Sequence, residues 1–165
     1  MIRQLLHADI EEYWKLRLDA LKQFPEAFGA SYEEAKDHSI ETVTARFSTG
    51  DENFILGAFY EGQMVGMVGF RREPFMKMRH KGVIWGMYVK PDCQGGGIAK
   101  QLLLELISRA RQLQGLEQIS LLVVDNNDRA KALYQSIGFT IYGKEMNAMK
   151  IGSTYVHEDL MVYRL

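Results

Sequence analysis

Three consecutive glycines, Gly95, Gly96 and Gly97, stand between an apolar run at 83–89 and an amphipathic run at 98–113. Glycine accepts positive φ angles and lets a ligand approach the main chain closely. The first turn of a helix carries N–H groups without acceptors and a partial positive charge. A strand, three glycines and a helix start therefore suit a phosphate or pyrophosphate. A nucleotide P-loop requires Gly-Lys-Ser or Gly-Lys-Thr, whereas Gly97 is followed by Ile98-Ala99-Lys100. A dinucleotide fingerprint would need a third glycine where Lys100 stands, after a parallel strand; the preceding segments read instead as an antiparallel hairpin. An oxidoreductase of that type is the weaker alternative.

Gln94, Gly97 and Ala99 match, in order, the Gln/Arg-x-x-Gly-x-Gly/Ala pyrophosphate motif of the GNAT superfamily of N-acetyltransferases, which this sequence resembles. The segment 84–91 is similar to that family's fourth strand. Asn127-Asp128-Arg129-Ala130-Lys131-Ala132-Leu133-Tyr134, closing with Gly138-Phe139, is similar to its Asn-x-x-Ala-x-x-Leu-Tyr-x-x-x-Gly-Phe element. The resemblance implies acetyl-CoA as co-substrate, without a metal. It also implies that the main chain of Gln94, Gly95, Gly96, Gly97, Ile98 and Ala99 holds the CoA pyrophosphate. Main-chain groups of Met87 and Val89 would pair with the pantetheine arm, and the N–H of Met87 or Tyr88 would polarise the thioester carbonyl. Asn127 would touch pantetheine, Ala130 would leave it room, and Tyr134 would donate a proton to the departing thiolate. Each role has a simpler rival: Asn127 is a natural helix N-cap, and Tyr134 lies at packing distance along its helix from Ala130 and Ile137. A non-catalytic acyl-CoA sensor of the same fold is the other alternative.

An amine must lose a proton before it attacks, which makes a general base useful. Many relatives carry a glutamate early in the fourth strand; the matching position here is Val83. His80, an imidazole able to take up a proton, and His157 and Glu158 near the C-terminus are the remaining candidates, beside a water chain. On the acceptor side, Phe28, Tyr32 and Trp85 offer aromatic surface, and Glu33 offers negative charge for a cationic amine. Arg17 interrupts the apolar stripe of the first helix and suggests a carboxylate in the substrate.

The elements that must position these groups follow from periodicity. A first strand is expected at 2–6. A helix is expected to start at an Asp9 N-cap with Glu12 three residues on, and to stop before Pro25. Residues 26–50 read as polar and mostly helical. Runs at 54–60 and 64–70 flank Glu61-Gly62-Gln63 as a β-hairpin. Strands at 83–89 and 119–124 enclose the helix at 98–113, which implies a parallel βαβ unit. A helix at 129–137 and strands at 139–142 and 155–163 follow, the last two separated by a polar excursion. The expected fold is α/β: a mixed, mostly antiparallel sheet with one parallel βαβ unit, helices on both faces, and a single domain over 1–165.

Composition limits the remaining classes. With 47% hydrophobic and 25% charged residues over 165 positions, the chain can bury a substantial core. A formal net charge of -1 gives no footprint for nucleic acid or an anionic membrane. Cys93 is the only cysteine, so neither an internal disulfide nor a cysteine zinc site is available. No apolar run reaches membrane-spanning length. A cytoplasmic enzyme is expected, acting on a small-molecule amine or a protein N-terminal amine. Pairing of the C-terminal strand across a homodimer is a further expectation from the resemblance.

Overall fold

Alternating side chains on β2 (Asn53–Tyr60) and β3 (Gln63–Arg72) build two hydrophobic cores at once, one on each face of a single sheet. Phe54, Leu56, Val68 and Phe70 point to one face, and Ile55, Phe59, Met64 and Met67 to the other. The computed structural model, which describes all 165 residues, adds β1 (Ile2–Gln4), β4 (Lys81–Val89), β5 (Gln118–Val124), β6 (Thr140–Ile151) and β7 (Thr154–Arg164). The strands lie in the order β1-β2-β3-β4-β5-β7-β6. Only β4 and β5 run parallel. This is the mixed sheet expected above, and it excludes the parallel doubly wound sheet that a dinucleotide oxidoreductase requires.

Helix α1 (Ile10–Gln23) covers the face of Ile55 and Met67 with Ile10, Tyr13, Leu16, Ala20 and Leu21, assisted by the short helices α2 (Tyr32–Ala35) and α3 (Ile40–Arg46). Helix α4 (Ile98–Ala110) and helix α5 (Asp128–Ile137) belong to the opposite face. Leu102, Leu103 and Leu106 of α4 are completely buried. At about 1.5–3 kcal/mol for each such side chain, they anchor α4 without help from its N-terminus, which is then free to meet a ligand.

Three expectations change. Asp9 does not cap α1 through its side chain; its carboxylate accepts from the Leu6 N–H (2.8 Å) and pairs with Arg3 (2.7 Å), fastening the turn before the helix. Glu12 instead reaches across to accept from the Met64 N–H at 2.5 Å. Residues 26–50 contain two short α-helices after a single 3-10 turn at Pro25–Ala27, and Ser31 and Ser39 each start one of them through their hydroxyls. The polar excursion near the C-terminus is continuous β6–β7 hairpin, with a register shift between Glu145 and Met149. Most of β6 is exposed, so polar residues replace the apolar alternation by which a strand is recognised.

The feature that shapes the site is a bulge in β4. Opposite Val68, β4 places two residues, Gly86 and Met87, because the register with β3 shifts between Met67 and Gly69. Gly86 takes φ +64°, the left-handed region open to glycine. Next to the bulge the Trp85 indole lies flat over Gly69: a Cβ there would come within 2.2 Å of the ring. Gly69→Ala must displace the indole, and overpacking of this kind costs roughly 1–3 kcal/mol. The variant is expected to melt lower than the wild type, with altered tryptophan emission; an unchanged melting point and spectrum would contradict this packing.

Candidate functional site

The parallel pairing of β4 with β5 lasts for three residue pairs, Lys81–Gln118, Gly82–Ile119 and Val83–Ser120, and then stops. Beyond it the strands part, and a cleft of about 520 Å³ opens between Ile84–Val89 on one side and Leu121–Val124 on the other. Strand polarity shows which groups face the gap. The Lys90 N–H donates to Val65 O of β3 at 2.8 Å. Main-chain groups alternate sides along a strand, so Tyr88 also faces β3, while Met87 and Val89 present their N–H and C=O groups to the cleft. Of the two expected oxyanion donors, Met87 is therefore the one whose N–H faces the cleft.

At the open end lies the glycine segment. Gly97 is the N-cap residue of α4 with φ +80°, and the helix has no side-chain cap. Its first internal hydrogen bond runs from Gln101 N–H to Gly97 O at 3.0 Å, which leaves the amides of Ile98, Ala99 and Lys100 pointing outward. No atom lies within 4 Å of a Cβ built on Gly95, Gly96 or Gly97, so this stretch of main chain is open to a ligand. Gly95, Gly97, Ile98 and Ala99 line the cleft and Gly96 does not. The Gln94 side chain is committed: its amide donates to Val89 O (2.9 Å) and its oxygen accepts from Arg129 (3.0 Å). That bridge ties the end of β4 to the start of α5 and takes up part of the acceptor capacity expected of Val89.

Across the cleft, Asn127 caps α5 through its side-chain oxygen, which accepts from Ala130 N–H at 3.1 Å; its amide nitrogen is left to donate. Ala130 and Tyr134 line the same wall. Tyr134 packs edge-on against Phe139, with ring centroids 5.8 Å apart. Burial pushes its phenol up to about 12, so it is protonated at every physiological pH. A proton donor in the neutral state is what this position offers. The periodicity missed Phe24, Cys93, Lys100, Leu122, Arg129 and Leu133, which also line the cleft. Leu122 is 53% exposed, so an apolar side chain of a central strand stands uncovered beside the cleft.

On the α1 side, Phe28 and Trp85 form part of the wall. Arg17 stands behind them, 4.8 Å from the Phe28 ring and 5.9 Å from that of Trp85. Tyr32 and Glu33 lie outside the cleft, engaged at the surface with Lys22 and Lys36 respectively. His80 is also remote: its carbonyl accepts from Glu117 and Gln118 at the closed end of the parallel pair, about 20 Å along β4 from the bulge at 3.3 Å per residue. His157 accepts the Asn147 N–H through Nδ1 at 2.8 Å and so lacks a free nitrogen there. Glu158 pairs with Val124 from β7, on the far side of β5 from the gap, and does not line the cleft. Burial, and secondarily Glu145, raise its pKa above the usual carboxylate range.

Comparison with known proteins agrees with this geometry. Residues 13–139, or 127 of the 165, match the model of the Acetyltransferase (GNAT) family. A mycothiol acetyltransferase of Saccharomonospora viridis is 36% identical over 92 residues, covering 53% of this chain and 30% of that protein. A spermine/spermidine N(1)-acetyltransferase of Bacillus subtilis is 31% identical over 100 residues, covering 58% of this chain and 66% of that protein. The match thus spans less than two thirds of either relative. A GNAT superfamily phosphinothricin acetyltransferase of Sinorhizobium meliloti, solved in complex with AcCoA, shares the fold with a TM-score of 0.86 at 21% identity, over 100% of this chain and 88% of that one. With a divided parallel pair, an uncapped glycine-led helix and a family match over most of its length, the chain belongs to the acetyltransferase (GNAT) family.

Proposed function

We propose that the protein is an acetyl-CoA-dependent N-acetyltransferase in which a primary amine attacks the thioester directly while both substrates are bound. The observation that carries this reading is the gap between β4 and β5. It offers the main chain of Met87 and the N–H of Val89 along its length, where β5 does not pair with β4, and the free amides of α4 at its mouth. An extended amide-bearing arm ending in a pyrophosphate matches both in order. The family match and the acetyl-CoA bound in a solved protein of the same fold support it.

In this mechanism the Met87 N–H donates to the oxyanion that develops as the amine nitrogen bonds to the acetyl carbon. From its ammonium form the amine gives up two protons in all. The first passes to water at the open cleft, which relays it to solvent. The second replaces the carbon–sulfur bond on sulfur. Tyr134 assists there. A phenol near 12 is a weaker acid than a thiol, whose ordinary pKa is about 8.5 for cysteine. Tyr134 therefore stabilises the departing thiolate mainly by donating a hydrogen bond, and solvent completes the protonation.

Acetyl-CoA and CoA are expected to raise the melting temperature while NAD and ATP do not. A ligand at a hundredfold excess over its Kd stabilises the native state by about 2.7 kcal/mol. Gly97→Val should fold, since open space surrounds it, yet lose most of that shift because a β-branched residue resists φ +80°. Stabilisation by NAD alone, or an undiminished CoA shift in the folded variant, would contradict the assignment.

Tyr134→Phe keeps the ring and removes the hydroxyl. Turnover should fall by about 10- to 100-fold, at or below the low end of the range for proton-transfer catalysis. Melting temperature and CoA affinity should change little. Near-wild-type kcat would reduce Tyr134 to a packing role.

A further inference from the structure

Arg17 is the one side chain whose setting the fold leaves unexplained. Its Nη1 is buried and has no hydrogen-bond partner within the protein. Burial lowers its pKa, and the only ionisable group acting appreciably on it is the Tyr13 phenol, so no carboxylate neutralises it. A guanidinium withdrawn from water without an acid is costly to keep. Its stacking on Phe28 and Trp85 holds the planar group in place but leaves the N–H groups unused. The position is telling. Nη1 lies 3.2 Å from the point that a Cβ on Gly86 would occupy, so the guanidinium stands over the β4 bulge. The next residue is Met87, whose main chain faces the gap. Phe28, Trp85 and Gly86, which pack against Arg17, line the cleft, and Arg17 stands directly behind them.

We propose that Arg17 binds a carboxylate of the acceptor, so that the preferred substrate is an amine carrying a carboxylate a few bonds from its nitrogen, as an α-amino acid does. Arginine meets a carboxylate with two parallel N–H donors, and the aromatic walls remove competing water. A polyamine, cationic along its length, would set like charge against Arg17. The identity of the reacting amine rests on the acetyltransferase reading above; the carboxylate site does not.

The test pairs each of a panel of L-amino acids with its carboxamide and its decarboxylated amine, with spermidine included, and follows release of CoA thiol. Arg17→Met keeps the length of the side chain without charge, and Arg17→Lys keeps charge without the planar fork. The wild type should favour the acid over its carboxamide by about 10- to 100-fold, the range for a hydrogen bond to a charged group, chiefly through KM. Arg17→Met should erase that preference with no loss of melting temperature, because a partly buried cation without an acidic partner has gone; Arg17→Lys should retain part of it. In parallel, the N-acetylated amino acids are titrated into CoA-saturated protein by tryptophan fluorescence, which needs no turnover. Arg17-dependent binding of the acids without acetylation of any amine would overturn the transferase reading and leave the carboxylate site standing. Acetylation that prefers spermidine or the carboxamides, an acid preference that survives in Arg17→Met, or neither binding nor turnover of any acid would overturn the carboxylate site.

Discussion

The structure turns on hydrogen bonds that β4 and β5 do not make. Parallel strands pair along their length unless something prevents it, and here pairing ends after Val83–Ser120. Six further residues of β4 and four of β5 stay within one sheet only because their outer neighbours hold them: β3 pairs with β4 as far as Val89, and β7 pairs with β5 as far as Val124. The cleft is thus a fault in a continuous sheet, where main-chain groups of β4 and β5 that would pair with each other do not. The bulge at Gly86–Met87 belongs to the same arrangement. By inserting one residue it resets which groups of β4 face the gap and brings Met87 round to it.

Two independent cores allow the fault to persist. The α4 face and the α1 face are each closed by their own helices, so neither depends on the missing pairing. Gln94 then bridges the two sides at the mouth by binding Val89 O and Arg129. On the α1 face, Trp85 rests on Gly69 and stacks beside Arg17, which places an aromatic wall and a cation at the bulge. The groups assigned to the thioester and those assigned to the acceptor therefore meet at Gly86–Met87, approached from opposite faces of one strand.

Much of this was legible in the sequence, and the reason is locality. Gly95–Gly97 before an amphipathic run, and Asn127 at the start of the next helix, depend on backbone angles and capping chemistry that are written within a few residues. Strand order on the antiparallel side followed from a short hairpin loop. What was not legible depends on distant partners. Arg17 stood out as a cation on an apolar stripe, yet nothing near it in sequence announces Phe28, Trp85 or Gly86. Gly86 reads as an ordinary strand glycine until its register with Val68 is known. His80 stood out as a histidine three positions before Val83, but extended backbone carries it about 20 Å from the bulge. The middle of the outer hairpin β6–β7 escaped for the opposite reason: exposed strands carry no apolar alternation, and residues 143–154 read as a polar excursion between two strands.

The central claim is that a ligand completes the sheet where β4 and β5 separate. Amide hydrogen exchange measured residue by residue, with and without saturating CoA, tests it most directly. Met87 and Val89 should gain protection together with Ile98, Ala99 and Lys100, while Lys81 to Val83, already paired, should stay as they were. Protection confined to other parts of the chain, or CoA binding that leaves the Met87 and Val89 amides exchanging at their free rates, would contradict it.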